Sequence, residues 1–159
     1  MEANDLIVRQ VLDTWWNKVE ETTSLFDTIG EQNAMWPVAP GKNRVIYLLG
    51  HLLVIHDGLL TTLEIGERRY ASYDELFLTP QHTANVYPPY TLLLDQWIDL
   101  NMHLRNKLAA LTGTDWLSKH HHISEENFRL QPGKNKFCAL LCMTTHLFHH
   151  AGQLALISV

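Results

Sequence analysis

The stretch NRVIYLLGHLLVIHDGLLTTLEIG, residues 43–66, decides the class of fold. Its apolar residues surround a helical axis almost completely, and its polar remainder falls on one narrow side. That remainder consists of Tyr47, Asp57, Thr61 and Glu64. A helix with this pattern is stable in water only when other elements cover it. Asn43 is predicted to cap this helix, and Gly66 is predicted to stop it after about Ile65. The segment therefore predicts a deeply buried central helix.

Residues 5–29 repeat apolar side chains at helical spacing and predict a first helix, and the dozen or so residues that join it to the central helix suit antiparallel neighbours. Asn4 or Asp5 can cap its start, and Gly30 is predicted to end it. Its apolar stripe consists of Val8, Val11, Leu12, Trp15, Val19, Phe26 and Ile29. Its charged residues lie away from that stripe, as is typical of a helix with one face in the core.

Two more amphipathic helices are predicted, over about residues 90–112 and from about Asn135 to Ser158. Four such helices without an alternating strand pattern predict an all-α fold, a four-helix bundle formed by one domain over residues 1–159. The connection over residues 66–89 is long for a compact domain. We expect it to cross the bundle, so that helices two and three run parallel.

Composition excludes several classes of function. The formal net charge is −5 and the Lys and Arg residues are scattered, so nucleic acids and anionic membranes are not expected partners. No run of eighteen consecutive apolar residues predicts a transmembrane helix. The N-terminal sequence does not resemble a secretory signal, and two cysteines, Cys138 and Cys142, favour reduced thiols and a cytoplasmic protein. The ten histidines are many for 159 residues.

Three of these histidines lie in HLFHHAGQL, residues 146–154. His146 and His150 are four residues apart, so both lie on one helical face at the margin of the apolar stripe, whereas His149 points outward. Two imidazoles at this spacing suit a borderline divalent ion such as Zn²⁺. From the spacing alone, a pair that bonds only to solvent or backbone is an equally good interpretation. The Glu of H-E-x-x-H is missing, so a zinc-protease function finds no general base here.

A third metal ligand would come from the central helix, which carries His51 and His56. These residues are five apart and diverge by roughly 140° around the axis, so they do not easily serve one ion. Both flank the apolar stripe, on opposite sides. Periodicity leaves the choice between them open.

The order of two motifs, PGKNRVIYLLGHL and then HLFHHAGQL, resembles the DinB-like superfamily, also called DinB/YfiT-like metalloenzymes. The resemblance covers essentially the whole chain. It implies a four-helix bundle with up-down-down-up topology, in which the long connection joins helices two and three. It also implies that His51, His146 and His150 are the metal ligands, with water completing the shell of a Zn²⁺ or Ni²⁺ ion.

The resemblance also implies a homodimer and a function. Relatives include transferases and isomerases that use a low-molecular-weight thiol, so a thiol cosubstrate and a small-molecule electrophile are expected. Gln153, one turn beyond His150, is predicted to orient a ligand or ligand-bound water from behind. Many relatives carry Arg at the position of Ala151, and the insert at Tyr70–Pro89 is longer than expected. It could cover the site or enlarge a dimer contact.

Other polar groups have plainer interpretations. Cys138 and Cys142 rotate away from the apolar stripe, although Cys142 lies four residues before His146 and a Cys–His site is an open alternative. Asp95, Asp99 and His103 predict a solvated face and His120–His122 a surface cluster. Four tryptophans predict core packing, and they are Trp15, Trp16, Trp97 and Trp116. Two functions therefore stand: a metal-dependent enzyme, such as a thiol S-transferase or a hydrolase-like relative, or a non-catalytic metal-binding stress-response or structural module. The sequence assigns no catalytic residue.

Overall fold

The computed structural model describes residues 3–79 and 86–157, and within these ranges the fold is all-α, with seven α-helices and no strand. Four helices are long, and they are α1 (Ala3–Ile29), α2 (Val45–Thr62), α4 (Tyr90–Ala109) and α7 (Lys136–Leu154). Three are short, and they are α3 (Asp74–Phe77), α5 (Gly113–Leu117) and α6 (Glu125–Leu130). The all-α prediction is confirmed.

Helix α2 lies at the centre of the core, as its composition predicts. Most of its side chains are buried, including those of Leu48, Leu49, Leu52 and Leu53. By length and composition it could cross a membrane, with a mean hydropathy of 1.5, but 72% of that window is buried inside the structure. Its predicted narrow polar side is not a solvent face, because Asp57 is fully buried.

Both predicted ends of α2 need correction. Arg44, not Asn43, occupies the N-cap, and its side chain makes no capping hydrogen bond. The Asn43 carbonyl instead accepts from the Val38 backbone N–H (3.0 Å), so pairing within the preceding loop sets where the helix begins. At the other end Glu64, not Gly66, takes the left-handed conformation, with φ 56°. This residue lets the backbone turn back on the last carbonyls of the helix.

Helix α1 presents the predicted stripe to the core. Trp15, Val19, Phe26 and Ile29 are buried, and Val8, Val11 and Leu12 are partly buried against them. Gly30 follows the helix with φ 71°, a left-handed conformation that favours glycine. The predicted caps Asn4 and Asp5 have side chains outside the described residues.

The later helices are shorter than predicted. Helix α4 ends at Ala109 because Thr112 starts α5: its side chain and that of Asp115 form a reciprocal capping box. The Asn135 side chain caps α7 as predicted by accepting from the Cys138 backbone N–H (2.9 Å). Helix α7 ends at Leu154, and Ser158 lies outside the described residues.

The helices pack in a consistent pattern around α2. Helix α2 contacts α4 and α7, and α1 contacts the same two helices from the other side. The short α3 lies against α2, where a side chain at Gly50 would overlap the Phe77 ring. Glycine at this one position therefore allows α3 to approach α2 one residue before His51.

Candidate metal centre

His51 lies near the middle of α2 and is held by the connection that follows this helix. Its Nδ1–H donates to the Phe77 carbonyl oxygen (2.8 Å), which α3 brings beside α2. Its ring stacks on Tyr47, one turn earlier, with centroids 5.9 Å apart. The proton on Nδ1 leaves the lone pair of Nε2 directed away from the connection.

His146 and His150 lie one turn apart on α7 with their Nε2 atoms 3.0 Å apart. The Nδ1–H of His150 donates to the Gln153 side-chain oxygen (2.8 Å), so its Nε2 also carries a lone pair. His149 is exposed, as predicted, and its Nε2 accepts from the Gln153 amide nitrogen (3.2 Å). Gln153 thus orients His150 and ties it to the outward-facing neighbour.

The three histidines converge across the contact between α2 and α7. The His51 Nε2 lies 3.3 Å from the His146 Nε2, and one ring nitrogen from each of the three residues lies within 4.8 Å of the others. Within residues 3–79 and 86–157 this is the one group of three or more His, Cys, Asp or Glu side chains that could hold a metal ion.

The residues present fit a divalent ion. A tetrahedral ion at about 2.0–2.1 Å from each nitrogen separates its ligand nitrogens by roughly 3.3 Å, close to the two spacings seen here. The lone pairs of His51 and His150 both face the His146 Nε2, which can donate a proton to only one of them. A cation among the three nitrogens resolves that mismatch, and imidazole is a common ligand for Zn²⁺ and Ni²⁺.

Burial keeps these imidazoles in the neutral form that a metal requires. Burial is the largest cause that lowers the pKa of His51, and it outweighs the hydrogen bond with the Phe77 carbonyl. Burial also lowers the pKa of His146, and the nearby His51 and His149 lower it further. The pKa of His150 falls to about 4 for the same first reason, against the effect of Gln153. The deepest ligand candidate is His150, which is 8% exposed.

His56, the competing candidate on α2, lies in a different environment. It is fully buried, and its Nδ1–H donates to the Asn101 side-chain oxygen (2.7 Å) on α4. Its ring packs between Trp15 and Trp97, at centroid distances of 6.1 and 4.7 Å. The structure therefore brings His51, not His56, to the pair on α7.

Most of the remaining polar groups match their plainer interpretations, but His103 and His120 are half-buried rather than exposed. Cys138 and Cys142 are free thiols, half-buried and exposed respectively, and neither belongs to the histidine cluster. The Asp95 and Asp99 side chains are exposed, and Asp99 pairs with Arg69 (2.7 Å). The triplet His120–His122 lies near the end of α2, where the His121 backbone N–H donates to the Thr62 carbonyl (2.9 Å).

Sequence reasoning missed two supports of His51. One is the backbone carbonyl of Phe77, and the other is the stacked ring of Tyr47. The position of Tyr47 four residues before His51 on a helix was a usable signal for the second. No side-chain pattern marks the first, because every residue has a carbonyl.

Comparison with known proteins agrees with this geometry. The sequence model of the DinB superfamily matches residues 18–154, a range that includes all three histidines and Gln153. The match confirms the resemblance predicted from the two motifs. No curated protein matches the chain.

Proposed function

The chain belongs to the DinB superfamily, and we propose that it binds a divalent metal ion through the Nε2 atoms of His51, His146 and His150. One observation carries this proposal: two histidines whose Nδ1–H groups are already bonded turn their Nε2 lone pairs toward the third. Zn²⁺ and Ni²⁺ are the ions that the donor set favours. Gln153 is proposed to orient His150 from behind.

Metal analysis of purified variants tests the ligand set. We expect one ion per chain in the wild type, and a loss of at least tenfold in affinity for His51→Ala, because removing a ligand leaves two imidazoles. His149→Ala is the matched control, since His149 is the neighbouring histidine that faces outward. An unchanged stoichiometry and affinity in His51→Ala would overturn the assignment.

The proposal includes an enzymatic activity in which a small-molecule electrophile reacts with a low-molecular-weight thiol or with water. A divalent ion held by three neutral imidazoles supplies positive charge at an open position, where it lowers the pKa of a bound thiol or water. The chain's part is to keep the three nitrogens unprotonated by burial and to fix two of the rings through Phe77 and Gln153.

A conjugation screen distinguishes this activity from the second candidate, a non-catalytic metal-binding stress-response or structural module. Several thiols are offered with epoxide and aldehyde electrophiles to the Zn²⁺- or Ni²⁺-loaded protein. Turnover that disappears in His51→Ala supports the enzyme. Metal-dependent stability without turnover by any thiol or water supports the module, because the cluster joins α2 and α7 and an ion there would hold them together.

The proposal also covers the arrangement of the chain, a single four-helix-bundle domain with up-down-down-up topology. The order of contacts supports it. His51 lies near His146, and Glu64 pairs with Lys136 (3.0 Å), an order that fits antiparallel α2 and α7. Tyr47 and Tyr87, just before α4, both lie against the Phe77 ring, at centroid distances of 6.1 and 6.0 Å. His56 reaches Asn101 further along, so α2 and α4 fit a parallel pair.

Homodimer formation and a cytoplasmic location complete the proposal. Ile98 and Met102 give α4 an exposed apolar surface that a second copy could cover, which supports the dimer. Sedimentation equilibrium tests the mass of the assembly, and substitution of both residues by Ser is expected to shift a dimer toward monomer. Fractionation of the source cells tests the location.

A further inference from the structure

A groove lies along the contact between α2 and α7, and its nearest lining residues are about one helical turn from the histidine cluster. We name it the α2–α7 groove and define it by its main lining residues, which are Val54, Ile55, Gly58, Leu78, Ala139 and Met143. Its volume is about 230 Å³. The proposed function does not use it.

Helical spacing places one end of the groove about one turn from the cluster. On α2, Ile55 and Gly58 lie four and seven residues after His51, on the same face. These three are partly exposed, whereas the α2 residues between them are buried. On α7, Ala139 and Met143 lie seven and three residues before His146, again on the same face and partly exposed. Two facing stripes thus form the groove, and the histidines lie about one turn beyond one end of it.

Gly58 opens the groove at its middle. A Cβ atom built at this position meets no atom within 4 Å, unlike one at Gly50 on the same helix. The surrounding side chains are aliphatic, and Leu78 is 43% exposed beside them. An apolar concave surface next to a reactive centre is the usual form of a small-molecule site.

The far end of the groove offers no unpaired charge. Arg68 lines it, but its guanidinium already bonds to Asp57 (3.1 Å) and to both oxygens of Asp74. Thr62, the other polar lining residue, lies 3.2 Å from the His122 ring nitrogen. A ligand with a second charged end would find no partner there, so the groove selects an uncharged body.

We propose that the α2–α7 groove binds the aliphatic body of a small ligand whose head group faces the three histidines. Residues 55–62 span about 10 Å of helix axis at 1.5 Å per residue, room for a chain of about six to eight carbon atoms. The placement of the head group rests on the proposed metal function. The apolar selectivity of the groove rests only on its own lining.

Two measurements separate these parts. In the first, Co²⁺-loaded protein is titrated with straight-chain alkanethiols from two to eight carbons, and visible absorption reports binding of the thiol. We expect affinity to rise about threefold to fourfold with each methylene until the groove is filled. Gly58→Leu should flatten this rise without changing the affinity for Co²⁺. Gly152→Leu is the matched control, because Gly152 is a helical glycine that also has open space, and its nine-residue separation from Met143 places it on the opposite face of α7.

In the second measurement, metal-free protein is titrated with 1-hexanol while methyl NMR signals are followed. The methyl groups of Ile55 and Met143 should shift, and those of Ile98 and Met102 on α4 should not. A flat thiol series on Co²⁺-loaded protein, or equal shifts at both pairs of methyl groups, would overturn the groove and leave the metal site intact. Hexanol shifts confined to the groove in a protein that binds no Co²⁺ would support the groove and overturn the metal function.

Discussion

At the scale of single residues, His51 and His56 show what decides a function on one helix. Both are neutral histidines on α2, five residues apart, and either could belong to a metal site by periodicity. Their partners separate them: His51 bonds to a backbone carbonyl and faces α7, whereas His56 bonds to Asn101 inside the core. The role of each histidine therefore depends on the groups that it contacts on neighbouring helices, and not on its position along α2 alone.

Gly50 is the residue on which the support of His51 depends. Gly50→Ala is expected to destabilise the fold by about 1–3 kcal/mol, because the added methyl overlaps the Phe77 ring and must displace α3. Gly58→Ala is the control on the same helix: it has open space and should gain up to about 1 kcal/mol of helix propensity. Urea unfolding measures both, and equal effects of the two substitutions would contradict the close approach.

His56 makes stability depend on pH. Its pKa falls from 6.5 to about 4: burial is the largest cause, the hydrogen bond with Asn101 opposes it, and the nearby His146 and His51 act in the same direction as burial. Between these pH values the imidazole of His56 is protonated in the unfolded chain and neutral in the folded chain. The contribution of His56 to the free energy of unfolding should therefore be complete above about pH 6.5. The free energy of unfolding should fall by about 3 kcal/mol as the pH drops to about 4.

Urea unfolding at a series of pH values in chelator checks this expectation. His56→Gln should show a smaller fall than the wild type, because His51, His146 and His150 contribute a fall of the same sign in both proteins. The exposed His121→Gln is the control and should retain the full slope. An equal slope in His56→Gln would assign the pH dependence to the other histidines.

At the scale of elements, the connection after α2 is an anchored part of the fold. Asp57 on α2 is fully buried and accepts from the backbone N–H groups of Arg69 (2.8 Å) and Tyr70 (3.0 Å). Arg68 bridges Asp57 and Asp74, the first residue of α3. The network thus ties α3 to α2, and so places the Phe77 carbonyl beside His51.

Removing Arg68 should loosen this attachment. Arg68→Gln is expected to cost about 3 kcal/mol of stability, because it leaves the buried Asp57 without its cation. Metal affinity should also fall, since the support of His51 is lost. The adjacent Arg69→Gln removes an exposed pair with Asp99 and a contact with the Tyr70 ring (5.6 Å), and it should cost less than about 1 kcal/mol. Similar losses for both variants would mean that the buried carboxylate does not depend on Arg68.

The sequence predicted the long helices better than their ends and the short helices. Apolar periodicity identified α2 and the facing of His146 and His150, because packing requires one apolar face per helix. It missed α5 and α6, which together cover only eleven residues of a polar segment and carry no such face. It could not choose between His51 and His56, since that choice depends on a contact with α7, far along the chain. The resemblance made the choice.

At the scale of the whole molecule, an ion at the cluster would connect α2 and α7, which residues 63–135 separate along the chain. Apolar residues of both helices line the α2–α7 groove, and Glu64, two residues beyond α2, pairs with Lys136 at the start of α7. Binding to the folded state alone raises stability by about 2.7 kcal/mol when the free ion is at 100 times its dissociation constant. Metal binding should therefore raise the midpoint temperature of global unfolding.

Thermal unfolding with Zn²⁺ and with chelator checks this. Zn²⁺ should raise the midpoint of the wild type and of His149→Ala, and chelator should reverse the rise. His146→Ala should not respond, because its substitution removes the ligand between the other two. A rise of equal size in His146→Ala would place the ion elsewhere on the chain.

The carbonyl of Phe77 has a consequence for how this protein tolerates change. Because the group that holds His51 belongs to the main chain, no substitution at position 77 deletes it, and an alanine scan would record residue 77 only as a packing position. The residue at position 77 can therefore be replaced without loss of this hydrogen bond, as long as the backbone keeps its path. A map of single substitutions would therefore underestimate how much the site depends on the connection after α2. Deletion of one residue between Arg68 and Phe77 would shift the Phe77 carbonyl and so reveal this dependence.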